Sequence, residues 1–113
     1  MKKYLLSLIA TLFLCFSPVA LSERIQLVPD DCRDISLAIM EVQRNRQSGT
    51  SLPDAMKAAD GLKVSKNAKR VIKTFIPNVY TRVDIEVSAV ELANVLFAGC
   101  YEAQGQITVP DEV

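Results

Sequence analysis

Cysteines, carboxylates and cations are the side chains of this 113-residue chain that could carry chemistry, since the chain has no histidine. The cysteines are Cys15, Cys32 and Cys100, and a thiol can serve as a nucleophile, a metal ligand or half of a disulfide. No two of them have the Cys-x-x-Cys spacing of thiol oxidoreductases. Histidine is the commonest general base and transition-metal ligand, so its absence argues against most enzyme classes. We therefore predict a non-enzyme with no catalytic residue, no metal and no cofactor.

Carboxylates cluster at the start of the first predicted helix, at Asp30, Asp31 and Asp34. A cation site would need the Asp-x-Asp-x-Asp-Gly pattern of a calcium loop, which is missing. Helix capping by Asp31 and favourable placement at the positive end of the helix dipole explain these residues better.

A cluster of cations lies in the middle of the chain. Its members are Lys63, Lys66, Lys69, Arg70 and Lys73. One interpretation is a patch for an anionic or other partner, such as lipid headgroups, and the alternative is the solvated face of a helix. No aromatic residue interleaves these cations, and the chain carries 13 carboxylates against 13 cations. Both facts argue against a nucleic-acid partner.

The first 22 residues have the pattern of a bacterial signal peptide. Two lysines precede an apolar run over residues 4–16, and Ala20-Leu21-Ser22 places small residues at the positions a signal peptidase reads. The run is shorter than the roughly 20 residues of a membrane-spanning helix. We expect cleavage after Ser22, no stable membrane span afterwards, and a periplasmic or secreted protein. Lipidation at Cys15, or retention of the segment as a membrane tether, stays open as an alternative.

Export would leave Cys32 and Cys100 in an oxidising compartment, where a disulfide forms and persists. Cys32 opens the first predicted helix and Cys100 lies near the end of the last one. An antiparallel pairing of these two helices would bring the thiols together. We predict a structural disulfide, worth roughly 4 kcal/mol in the chain-entropy model.

Apolar residues at helical spacing predict helices over 32–48, 52–59, 68–76 and 89–102. Ser51 and Ser88 are suitable N-caps. Pro77 should stop or kink the third helix near Ile76, because it lacks an N–H and clashes with the preceding turn. Residues 81–87 alternate polar and apolar types, so either an extended segment or an early start of the last helix fits.

The predicted fold class is all-α. Residues 23–102 form a single domain, a small bundle of three to four helices closed by one disulfide between the first and last helix. Residues 103–113 show no periodicity and contain Gly105 and Pro110, so we expect a flexible C-terminal tail.

The layout resembles that of a group of small exported proteins of Gram-negative bacteria and their phages. The resemblance rests on the signal peptide, a cysteine that opens the first helix, Arg44-Asn45-Arg46-Gln47-Ser48-Gly49 at its end, and Cys100-Tyr101 at the end of the last helix. It implies export and a single disulfide, but no activity or site. In size and class alone the chain is also similar to the periplasmic acid-stress chaperones of the HdeA type.

These features favour a non-catalytic module that binds an unknown protein or envelope component. Two alternatives remain: a periplasmic stress chaperone of the HdeA type, and a phage-encoded periplasmic inhibitor of lysis or superinfection.

Overall fold

The computed structural model describes residues 22–110 and places them in four helices and two strands. The elements are β1 (Ser22–Gln26), α1 (Pro29–Gln47), α2 (Leu52–Asp60), α3 (Lys66–Arg82), α4 (Ala89–Glu102) and β2 (Gln106–Pro110). Residues 1–21, which include Cys15 and nearly all of the predicted signal peptide, lie outside the described part of the chain. None of the described helices has the length and apolarity that crossing a membrane requires.

A disulfide joins Cys32 of α1 to Cys100 of α4, with 5.7 Å between their Cα atoms. Both residues are buried, so the bond lies inside the contact between the first and last helices. The prediction of a helical bundle closed by this disulfide is confirmed. The structure adds a small two-stranded sheet to it.

The core forms where α1 packs between α3 and α4. Ile35 and Ile39 come from α1, and the apolar stripe predicted for the third helix supplies Val71, Ile72 and Ile76. These side chains recur every three or four residues, so each helix turns one continuous face inward. The short helix α2 packs mainly on α3 and touches α1 only lightly.

Helix α1 begins at Pro29, earlier than predicted, and Asp31 therefore lies in its first turn and not at the N-cap. The Asp31 carboxylate still satisfies a free amide, because the Val28 N–H donates to its Oδ2 at 3.1 Å. Its Oδ1 accepts a hydrogen bond of 2.7 Å from the Ser65 hydroxyl, which in turn caps α3. One carboxylate thus ties together the first turns of two helices.

Helix α3 runs through Pro77 to Arg82, so of the predicted stop or kink near Ile76 the stop is wrong. A proline inside a helix removes one backbone hydrogen bond at a cost of about 3 kcal/mol. Tertiary contacts offset this cost: Val79 is buried in the core, and Arg46 of α1 donates to carbonyl groups of the last turn of α3. The local signal at Pro77 is overridden by contacts that lie far away in sequence.

The C-terminal segment differs from the expected flexible tail, because residues 106–110 form β2 and pair antiparallel with β1. Ile25 stands opposite Ile107, and Leu27 donates its N–H to the Gly105 carbonyl at 2.8 Å. The turn into β2 needs positive φ at Gln104 (55°) and Gly105 (75°). A Cβ on Gly105 would meet the Leu27 carbonyl oxygen, so only glycine fits this turn.

Candidate functional site

An apolar groove of about 380 Å³ lies between α1 and α2. On the α2 side it is lined by Ala55, Ala58 and Ala59, and Ile72 and Ile76 of α3 also line it. Alanine side chains are too short to reach across to α1, which leaves the space between the two helices open. The groove is therefore a direct result of the small residues on the inner face of α2.

The α1 side of the groove combines apolar and acidic residues. Leu37, which is 48% exposed, lines it together with Asp34 and Glu41. Glu41 also pairs with Arg44 at 3.3 Å, but both side chains are at least half exposed, so this pair contributes little stability. The groove therefore offers an apolar interior with two carboxylates beside it.

The charge in the groove comes from one side only. Its described lining contains two ionisable side chains, Asp34 and Glu41, which come from the same helix. Across residues 22–110, no group of three or more cysteine, aspartate or glutamate side chains is arranged to hold a metal ion. What the groove can do is shelter an apolar group and attract a neighbouring positive charge.

The predicted cation patch is divided by the structure. Lys73 Nζ lies 2.7 Å from Asp60 Oδ1, and Lys69 Nζ donates to the Asp60 carbonyl at 2.9 Å. The hydrogen bond and positive charge of Lys73, with a smaller contribution from Lys69, lower the pKa of Asp60. These two lysines therefore hold the end of α2 against α3.

The other three members of the patch lie further along the same surface. Lys63 and Lys66 are exposed near the start of α3, and Arg70 is partly exposed on α3 itself. Binding of an anion or partner by this patch stays a prediction.

Sequence reasoning missed a set of buried polar contacts at the end of α1. Gln43, with 0% exposure, donates through its amide nitrogen to the carbonyls of Asp84, Ile85 and Val87 at 3.2, 3.3 and 3.0 Å. Gln47 donates to the last two of these at 2.9 Å each. The two amides hold the turn between α3 and α4. Of the residues 81–87, for which an extended segment or an early helix was considered, 81–82 belong to the end of α3 and 83–87 form this turn.

Arg46 completes this set of contacts, which we call the carbonyl clamp (Gln43, Arg46 and Gln47). Its guanidinium donates to the carbonyls of Val79, Tyr80 and Val83 at 3.1, 3.3 and 2.7 Å and lies 5.3 Å from the centre of the Tyr80 ring. Positions 44–49 carry part of the resemblance described above. The helical spacing of 43, 46 and 47 was the signal that these side chains share a face.

The part of the molecule around the disulfide has two further depressions. One, of about 540 Å³, is lined by residues that include Pro29, Tyr101 and Glu102. The other, of about 280 Å³, is almost wholly apolar and lies between α4, α3 and β2, with Phe75 and Leu96 in its wall. The first depression has one carboxylate in its lining, Glu102, and the second has none, so the α1–α2 groove, which combines an apolar wall with two carboxylates, remains the best candidate site.

Comparison with known proteins adds no relative: no family model, no curated protein and no solved structure matches this chain. The resemblance to small exported proteins therefore stays a prediction.

Proposed function

We propose that this protein is an exported, non-catalytic module that binds another protein through the α1–α2 groove. The observation that carries the proposal is an open apolar groove with Asp34 and Glu41 beside it. The partner segment that fits is amphipathic: an apolar side chain enters the groove, and a lysine or arginine one helical turn away lies against the carboxylates.

A protein segment suits the groove better than a small polar molecule does. The volume of about 380 Å³ lies within the range of ligand pockets, but such pockets orient their ligands with polar groups placed inside them. Here the residues that come from α2 and α3 are all apolar. The polar ones stand on α1 or just after it, and they are Asp34, Glu41, Asn45 and Thr50. A partner that brings its own backbone and a flanking cation needs no internal polar anchor.

Export is supported by two observations. The signal-like pattern of residues 1–22 precedes the described domain, and the domain contains a disulfide of the kind that persists in oxidising compartments. The proposed location is the periplasm of a Gram-negative cell, after cleavage behind Ser22. Phage origin and an acid-stress role remain alternatives to be tested in cells.

The proposal is tested by selecting peptides from a displayed random library against the oxidised domain, residues 23–113. We expect enrichment of sequences with a large apolar residue and a lysine or arginine three or four positions away. Ala58→Trp should fill the groove from its exposed position on α2 and weaken binding of the selected peptides at least about tenfold, about 1.4 kcal/mol.

A matched control is Val95→Trp, which adds the same side chain at an exposed position on α4, outside the groove. Glu41→Gln should weaken binding in a salt-dependent way, because it removes a charge without changing the shape of the side chain. Equal binding by the Ala58→Trp variant, or enrichment of acidic peptides, would contradict the proposal.

A further inference from the structure

Helix α4 is apolar on nearly all sides although only one side is packed. Its charged residues are Glu91 and Glu102, and its inner face carries Ala89, Ala93 and Cys100. Four large side chains remain exposed outside that face, at 49% for Val90, 68% for Val95, 40% for Phe97 and 65% for Tyr101. A helix that is apolar all round is normally covered on all sides, so part of α4 lacks a partner within the described domain.

Three of these residues form one line together with Asn94. Val90, Asn94, Phe97 and Tyr101 are spaced by four, three and four positions, which is the spacing of a coiled-coil contact line. The rings of Phe97 and Tyr101 are stacked, with 6.1 Å between their centres. We call these four residues the α4 seam. It carries no charge, so two copies of it do not repel each other.

The seam lies on the side of α4 that faces away from α3 and β2. Leu96 and Gly99 flank the inner face on the side opposite to the seam. They line the apolar depression together with Phe75 and Ile107. Tyr101 instead lines a depression with Pro29 at the start of α1, as does the neighbouring Glu102 at the end of α4. The seam therefore borders α1, which runs beside α4 in the opposite direction.

Two contacts fix how α1 and α4 lie alongside each other. Cys32 is bonded to Cys100, and Gln43 holds the Val87 carbonyl just before α4 begins. Arg33 is therefore level with the end of α4, and Arg44 is level with its start. Helical periodicity places both arginines next to the α4-facing positions of α1, on the edge of α1 that borders the seam.

The seam thus has a basic edge on one side and an acidic edge on the other. The arginines are separated by 11 positions (44 − 33), as are Glu91 and Glu102 (102 − 91), so each pair spans three helical turns. Arg33 and Arg44 pair weakly with Asp30 and Glu41 at exposed positions, and such pairs exchange at little cost.

We propose that the α4 seam pairs with the α4 seam of a second copy of this chain, about a two-fold axis parallel to the helix. Under that symmetry the basic edge of each copy meets the acidic edge of the other at the same level: Arg33 with Glu102, and Arg44 with Glu91. Asn94 then faces Asn94 across the axis, where one polar residue in an apolar line fixes register and orientation. An antiparallel arrangement would place the arginine edges against each other.

The size of the surface makes this a transient dimer. Helix α4 has 14 residues, so it is about 21 Å long and about 10 Å wide. Even with the neighbouring edge of α1, the contact is smaller than the roughly 800 Å² per partner of a stable interface. The α1–α2 groove lies on the α2 side of α1, and its rim at Glu41 adjoins the edge that carries Arg44.

Sedimentation of the oxidised domain across a wide concentration range tests the pairing. We expect a reversible increase from monomer mass to dimer mass, and Phe97→Glu should weaken it at least about tenfold because it buries an unpaired charge. Val95→Glu introduces the same charge at a more exposed position on the same helix, outside the seam, and should leave the association unchanged.

Orientation is tested by charge exchange and by cross-linking. Arg44→Glu and Glu91→Arg should each weaken the dimer, and the double variant should restore it. Asn94→Cys should form a covalent dimer quickly under mild oxidation, whereas Val95→Cys should not.

Three results would overturn the proposal. The first is a protein that stays monomeric at all concentrations. This result counts against the dimer also if the monomer binds phosphatidylglycerol vesicles through α4. The second is a dimer that Phe97→Glu leaves intact. The third is a double charge variant that is no better than the single ones.

Discussion

At the scale of single residues, stability at the end of α1 depends on side chains that satisfy backbone carbonyls. Gln43 is fully buried. Its amide nitrogen donates to three backbone carbonyls that lie 41 to 44 residues away in the sequence. A partly buried carbonyl that is left without a donor costs about 1–3 kcal/mol. Polarity is therefore as important as apolar packing at this point of the core.

Replacement of Gln43 by leucine keeps the volume nearly constant and removes the donor. We expect the free energy of unfolding to fall by about 1–3 kcal/mol, measured by urea denaturation. Arg44→Leu, on the exposed side of the same helix, is the matched control and should stay within about 0.5 kcal/mol of the wild type. Equal stability of the two variants would show that the turn before α4 does not depend on the amide.

The Tyr80 hydroxyl donates to the Thr50 carbonyl at 2.7 Å, and partial burial raises the pKa of Tyr80 above its ordinary value of 10.0. A raised pKa means that the neutral form is favoured by folding. The stabilisation is present below pH 10.0 and is lost as the pH rises through the pKa of the folded state.

Tyr80→Phe should therefore remove one phenolate transition from an alkaline absorbance titration of the folded protein, and that transition should lie above pH 10.0. Tyr101→Phe, at an exposed position, serves as the comparison variant. If the transition that disappears in Tyr80→Phe lies at or below pH 10.0, the burial of this hydroxyl is contradicted.

At the scale of elements, α2 is held in place by its end. Its inner face offers alanines, and its last residue, Asp60, binds Lys73 through the carboxylate and Lys69 through the backbone carbonyl. The same lysines that suggested an anion-binding patch thus position the helix that forms one wall of the groove. A weak packing face and a polar anchor together explain why the groove exists and why it does not collapse.

This anchor predicts a specific dependence on pH. Because Lys73 and Lys69 lower the pKa of Asp60, its contribution to stability is present above the ordinary value of 3.8 and is lost as the pH falls below it. The drop in urea midpoint between pH 6 and pH 3 should be smaller in Asp60→Asn than in the wild type. Glu86→Gln, in the turn before α4, should retain the wild-type drop; an unchanged drop in Asp60→Asn would refute the anchor.

At the scale of the whole molecule, long-range connections join the two ends of the described chain. The disulfide links residues separated by 68 positions, and β1 pairs with β2 across all four helices. A domain of this size buries only about two thirds of its surface, so covalent closure supplies a large part of its net stability.

Substitution of both Cys32 and Cys100 by alanine should lower the free energy of unfolding by about 2–5 kcal/mol. Guanidinium denaturation of the double variant and of the reduced wild type should give similar losses, since both remove the same link. A loss below about 1 kcal/mol would mean that the helices and the sheet hold the ends together without the bond.

The extent to which sequence predicted the fold follows from how far apart the interacting residues lie. The starts of α2 and α4 were predicted because Ser51 and Ser88 each accept a hydrogen bond from the backbone N–H three residues further along the chain. The end of α3 was not, because Arg46 satisfies its carbonyls from another helix. The groove was missed as well, since alanines indicate an open space only once the separation of the helices is known.

If the chain is exported as proposed, the pairing of β1 with β2 also sets an order of events. The proposed cleavage after Ser22 falls at a bond inside β1, and Ser22 stands opposite Pro110. The partner strand β2 follows all four helices in the chain, so under the proposed export β1 has no hydrogen-bonding partner while the helices are being translocated. We therefore expect a signal peptidase to meet an unpaired, extended chain, and the sheet to close only after the leader has been removed.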